Sequence, residues 1–409
     1  MPRLRLPTLL AASLVSALPA AAQAPQAQDF PNGPGKDTFV AMCGACHDIN
    51  RARAGYTPDG WRTVVRMMQN MEVPIPKDKW EEVTQYLITN FPEGPRPAAV
   101  LIDGPVKVNF KQWPVPTPGS RPHDPLATRD GMLWFTGQTS GVLGRLDPAT
   151  GDFREFPLPG GHPGPHGAAE DKDGNIWFTG NHIGIIGKLD PKTGKVTEYK
   201  MPDPEIKDPH TLNFDQNGIL WFTAQNANIM GRLDPKTGEI KIIKSLTPRS
   251  RPYGLIVSSK GIPVVVLFGT NKVATIDPDS LAVKEYVLPE GARPRRLALE
   301  NENIVWYSDF ARGFLGRLDL ATGAVKEYPS PSGPKSWPYG MVFTKGAVWY
   351  NESNAKPNTI VRFDPATEKF QSWAIPGGGD IVRNMSVLPD GNPVTANSLT
   401  NQVGVVEIQ

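Results

Sequence analysis

From about residue 120 to its end, this 409-residue chain repeats itself. One unit reads Pro-His-Gly, then Asp-x-Gly-x-Ile-Trp-Phe-Thr-Gly, then Ile-Gly-x-Leu-Asp-Pro-x-Thr-Gly, then Glu-Tyr. Aligned on the His position, the units carry His123, His166, His210, Tyr253, Arg295, Tyr339 and Arg383, spaced 42 to 44 residues apart. A turn acid follows each marker: Asp147, Asp190, Asp234, Asp277, Asp319, Asp364 and Glu407. Seven such units must each be one supersecondary motif stacked on its neighbours. Every unit holds four short apolar or alternating runs separated by turns. Asp-Pro-x-Thr-Gly at 147–151, 190–194 and 234–238 is a hairpin turn, with Pro fixing φ and Gly supplying φ > 0. A period near forty with four strands predicts an all-β seven-bladed β-propeller over residues 101–409. No long 3.6-residue period competes with it, and the 40 Gly and 43 Pro suit a turn-rich chain.

The two ends of the repeat fit together. The seventh unit stops just past Glu407, before a fourth strand, while residues 106–116 match the fourth-strand segment 153–159 of the first unit. The 106–116 strand is therefore expected to complete the last blade and remove its open edges.

Residues 1–22 read as a signal peptide. Arg3 and Arg5 precede an apolar run at 6–18, and Ala20 to Ala22 offer a cleavage site. The run is shorter than the ~20 residues a bilayer span needs, so no transmembrane anchor is expected. This implies a periplasmic location. The net charge of +2 gives no reason to expect a nucleic-acid partner.

Both cysteines of the chain lie in Cys43-Gly-Ala-Cys46-His47. Two thiols at this spacing add to the vinyl groups of one haem, and the adjacent imidazole reaches its iron. A thioredoxin-like pair does not need the His, and a zinc site needs further ligands that this region lacks. One covalent haem c is expected, with His47 as the proximal iron ligand. Helical patterns at 37–46, 61–71 and 78–91 surround the motif, and Pro92 ends the last. Residues 30–92 thus resemble a small, all-α class I cytochrome c domain. That resemblance implies a methionine as sixth ligand, Met68 in the first place, with Met71 or Met67 as alternatives. A thioether ligand raises the potential and closes the iron to oxygen. Residues 93–100 form a proline-rich linker.

The marker residues begin the innermost strands, so they form a ring at one channel mouth. Three of the chain's six histidines are among them. His123, His166 and His210 are candidate ligands for a metal in the propeller, since neutral imidazoles suit transition ions. Tyr253, Arg295, Tyr339 and Arg383 complete the ring and suit an anionic or hydrogen-bonding substrate.

Across all seven units the repeat resembles the virginiamycin B lyase (streptogramin lyase) family. The resemblance implies a Mg²⁺-assisted elimination that opens a cyclic depsipeptide ester, with a His from one blade, a Glu-x-His from the next and a further Glu fourteen residues on. The matching positions here are His166, then Asp208-Pro-His210, then Ala224. Asp208 is one methylene short of Glu, and Ala224 has no carboxylate. The other register, on His123 and His166, puts Gly164 and Gly180 at the Glu positions. Carboxylates do follow the second strand at Asp309 and Glu352, but beside Arg295 and Tyr339 rather than His.

The favoured role is therefore an oxidoreductase component: an exported haem protein exchanging electrons with a periplasmic redox partner, its propeller binding a small-molecule substrate or metal. A streptogramin lyase-like enzyme is the second reading, and a non-enzymatic docking platform the third. An open or plugged channel mouth separates them.

Overall fold

The computed structural model describes residues 30–45, 48–160 and 164–409. The segment 1–22, Cys46, His47 and His162 lie outside the described residues.

Seven four-stranded antiparallel sheets form the propeller. The first blade runs Pro122–Ala127, Leu133–Gly137, Val142–Leu146 and Phe153–Pro157, and the next five repeat that order. The last blade takes three strands from Val382–Val387, Pro393–Asn397 and Gln402–Ile408, and its fourth from Val108–Pro114. Asn109 pairs with Glu407 in register and donates to its carboxylate at 2.8 Å, while Lys111 Nζ lies 2.6 Å from the same group. Both ends of the repeat region thus share one sheet, and the innermost strands contact one another around a closed ring.

The repeated residues have local physical reasons. Trp177 Nε1 donates to Asp171 at 2.8 Å, and Trp221 Nε1 to Asp215 at 3.0 Å, so an acid between the first two strands of these blades satisfies the buried indole six residues on. Gly144 and Gly187 lie opposite Phe135 and Phe178, where an added Cβ would come within 2.0 Å and 2.1 Å of the ring. The Thr of Trp-Phe-Thr joins blades. Thr179 Oγ1 accepts from Gly167 N at 2.9 Å and donates to His210 O of the next blade at 2.8 Å. Thr136 bonds His166 O, and Thr223 bonds Tyr253 O, in the same way. Each latch fixes the backbone of a marker residue.

A small helical module precedes the propeller. Lys36–Thr38 continues into Phe39–Cys43, followed by Ile49–Ala54, Pro58–Asn70 and Trp80–Asn90. The helix expected from Trp61 starts earlier because Thr57 Oγ1 accepts from Gly60 N at 3.1 Å and Pro58 fills the first turn. Such a cap contributes about 1 kcal/mol. Phe30, Phe39, Trp61, Val83, Tyr86 and Phe91 form a separate core, and Trp61 Nε1 donates to Phe91 O at 2.7 Å.

The linker lies against the sixth blade. Ala98 bridges to Lys356 and Ile102 to Ser372, and Arg96 pairs with Asp380 at 2.7 Å. Asn70 Nδ2 also donates to Pro118 O at 2.9 Å and Gly119 O at 3.0 Å. The module is therefore docked on the propeller. No described helix is long and apolar enough to cross a membrane.

Candidate functional site

Every innermost strand carries the same irregularity near its start. In the first blade the pairing jumps from Pro122↔Gly137 to Pro125↔Phe135, which takes His123 and Asp124 out of the ladder. The other six blades do the same. A bulge of this kind re-aims side chains. The chain uses it for each marker and the residue after it.

The markers pack against one another. Ring centroids are 3.8 Å apart for His123–His166, 3.8 Å for His166–His210 and 4.0 Å for His210–Tyr253. Tyr253 and Tyr339 share a hydrogen bond of 2.5 Å between their hydroxyls. The Arg295 guanidinium stacks on Tyr339 at 4.0 Å and Phe310 at 4.1 Å. All three histidines and both tyrosines are buried. Burial would raise the Tyr339 hydroxyl, but the charges of Arg295, Arg383 and Arg296 overcome it and bring it down to about 8. Burial first, then arginine charges, holds His123 and His210 well below the usual imidazole value. Burial, with His123 and His210 as neighbours, does the same to His166. All three are neutral at pH 7.

The residues after the markers plug the channel. Arg296 Nη2 meets Asp124 Oδ1 at 3.0 Å, Nη1 meets Thr211 Oγ1 at 3.0 Å, and Nε donates to Arg383 O at 3.1 Å. Asn384 donates to the other Asp124 oxygen at 3.0 Å. Sequence reasoning missed this layer. Its signal was a break in the repeat: Arg296 stands where other blades have Gly167, Gly254 and Gly340.

The expected metal trio is only partly assembled. Potential ligand atoms of His123, Asp124 and His166 lie within 4.8 Å of one another; His210 is stacked on His166 but outside that set. His166 Nδ1 is buried without a partner. Asp124 is already engaged by Arg296, Asn384 and His123 Nδ1 at 2.8 Å. One committed carboxylate and two imidazoles are a poor set for Mg²⁺, which favours several oxygens.

The lyase-like positions are likewise incomplete. Asp208 accepts from Asn226 N at 2.6 Å, and its carboxyl is raised by burial despite that bond. Ala224 is fully buried at the end of its strand. Asp309 is bound by Arg312 at 2.6 Å, and Glu352 by Ser330 and Thr359 at 2.7 Å each, so both serve their own blades.

Above the ring lies a cavity of about 390 Å³ shared by the module and the propeller. Cys43, Met42, Met67, Met68, Met71 and Trp61 line one side. Arg121, Thr139, Arg383 and Ser398 line the other. The module thus roofs the marker ring at Arg383. Burial and the like charge of Arg383 push the Arg121 guanidinium down to about 9. Met42 and Arg121 were not evident as site residues, because only the fold brings them to this space.

A model of the virginiamycin B lyase family matches residues 104–363. No curated protein sequence matches the chain. Among solved structures, a streptogramin B lyase superposes with a TM-score of 0.68 at 24% identity, covering 74% of this chain and 98% of that one. Virginiamycin B lyase from Staphylococcus aureus gives 0.67 at 20% identity, covering 74% and 99%. Hydrazine synthase from Kuenenia stuttgartiensis gives 0.58 at 16% identity, covering 70% and 96%. These structural likenesses carry the propeller fold. The family match begins after the helical module.

Proposed function

The chain belongs to the virginiamycin B lyase family, and from that premise we propose that it is an exported electron-transfer protein with one covalent haem c in its cytochrome c-like N-terminal module. The observation that carries this reading is the cavity. Cys43, the first thiol of Cys-x-x-Cys-His, opens on it together with Met67, Met68 and Met71. The apolar side chains of Trp61, Val65 and Leu87 on its wall suit a flat apolar macrocycle. When bound, the haem supplies one-electron chemistry. Cys43 and Cys46 would hold it, His47 would ligate its iron, and one of the three methionines would take the sixth position. The residues present fit the group, and export through the 1–22 leader fits the compartment where such haem is attached.

The propeller's part is docking and insulation. Its ring is buried, and its channel is filled by Arg296 and Asp124. His166 and His210 are themselves buried, and neither lines the cavity beneath the module. A redox partner in the periplasm would meet the module directly.

Spectra of the purified exported protein test this reading. A low-spin haem that cycles between oxidised and reduced forms, with a methionine–iron band and no carbon monoxide complex, is expected. A high-spin haem that binds carbon monoxide would sink the electron-transfer role.

The second reading is a streptogramin lyase-like enzyme. Family membership and the stacked His166–His210 pair, with His166 Nδ1 unpartnered, favour it. Ala224 and the filled channel oppose it.

A further inference from the structure

Arg121 and Arg383 reach the cavity from the first and seventh blades, which are neighbours in the closed ring. Neither guanidinium has a carboxylate within ion-pair distance among the described residues, and no described Asp or Glu lines the cavity. Arg383 Nε is buried with no hydrogen-bond partner. Arg296, by contrast, is matched by Asp124, and Arg312 by Asp309 and Glu327, while Arg295 lies against the Tyr339 and Phe310 rings. Two like charges that share a sheltered wall repel each other and lose hydration, so the arrangement calls for an anion. The wall opposite is mostly apolar and sulfur-bearing, with Arg51 the charged residue that the described module adds to it. A ligand that satisfies both walls has an apolar body and acidic groups at one end.

We propose that Arg121 and Arg383 bind the two propionate carboxylates of the haem tethered at Cys43, so that the propeller supplies the polar end of the haem pocket. This rests on the haem reading above. The guanidinium fork matches a carboxylate with two parallel hydrogen bonds, and the pairing relieves the repulsion between the two arginines. It also gives the propeller a task that needs no catalysis. Its positive charge offsets the propionates and favours reduced iron, raising the reduction potential.

Potentiometric titration of the full-length haem-bearing protein tests the assignment. Arg121→Gln and Arg383→Gln should each lower the midpoint potential, and the double variant should lower it further. Arg121→Lys and Arg383→Lys, which keep the charge, should restore most of the loss. In a Cys43→Ala/Cys46→Ala chain, which carries no haem, the double Gln change should not lower the melting temperature. An unchanged potential in a folded, haem-bearing double Gln variant would overturn the proposal. So would a lower melting temperature in the haem-free background, because the arginines would then have partners within the protein. A wild-type protein without covalent haem would remove the reading beneath the proposal as well.

Discussion

Arg296 of the fifth blade and Asp124 of the first form an ion pair of 3.0 Å across the channel, with both side chains almost fully buried. The pair converts a ring of blades with an open centre into a closed floor beneath the marker residues. A buried pair of this kind is unforgiving of half-removal. Asp124→Ala should cost on the order of 3–5 kcal/mol, since Arg296 is left charged and unpaired. Asp124→Ala/Arg296→Met should recover much of that loss. Urea unfolding of the two variants checks both expectations.

The latch between blades makes a smaller contribution. Thr179→Val removes the donor to His210 O and the acceptor for Gly167 N. The loss should be about 1–3 kcal/mol, because two buried backbone groups lose a partner. The same urea experiment reads it, and the marker ring should loosen where His210 sits.

Acid should unlock the ring before it titrates ordinary carboxylates. His123, His166 and His210 are held well below 6.5 by burial. A base with a depressed folded pKa favours the folded state fully above its unfolded value, and that advantage shrinks as pH falls below it. Stability should therefore decline from about pH 6.5 downward, by up to about 1.4 kcal/mol per pH unit for each imidazole. His166→Gln, at the ring position with an unpartnered Nδ1, should flatten the slope between pH 6.5 and 5. Unfolding midpoints across that range decide it.

Magnesium should not matter to the protein. The carboxylate of Asp124 is committed to Arg296, and Ala224 leaves the lyase-like set without its second acid. The full-length protein should leave a streptogramin B depsipeptide ring closed with or without Mg²⁺, as followed by mass spectrometry. Metal-dependent ring opening would instead favour the lyase reading.

The propeller was legible in the sequence because its constraints are local and repeated. The Asp171–Trp177 bond, the Phe178–Gly187 contact and the Thr latch each force a particular residue at a fixed offset, so the period shows them. The closing strand was legible for the same reason. The plug was not. Arg296 and Asp124 are far apart in sequence and belong to no repeat position that requires a charge. The marker ring was read as a rim, yet its histidine and tyrosine rings pack tilted against one another and are buried, because one bulge per blade turns two successive side chains out of the ladder. The cavity was half legible. The Cys-x-x-Cys-His motif and Met67, Met68 and Met71 announce themselves, whereas Arg121 and Met42 gain meaning only when the module is docked.

On the function proposed above, a covalent haem occupies the space between the module and the propeller mouth. Intact mass spectrometry of the protein exported from cells that attach c-type haem tests it most directly. A mass higher than the mature chain by one haem is expected, with the increment lost in Cys43→Ala/Cys46→Ala. A full-length mature protein whose mass equals the polypeptide alone would contradict it.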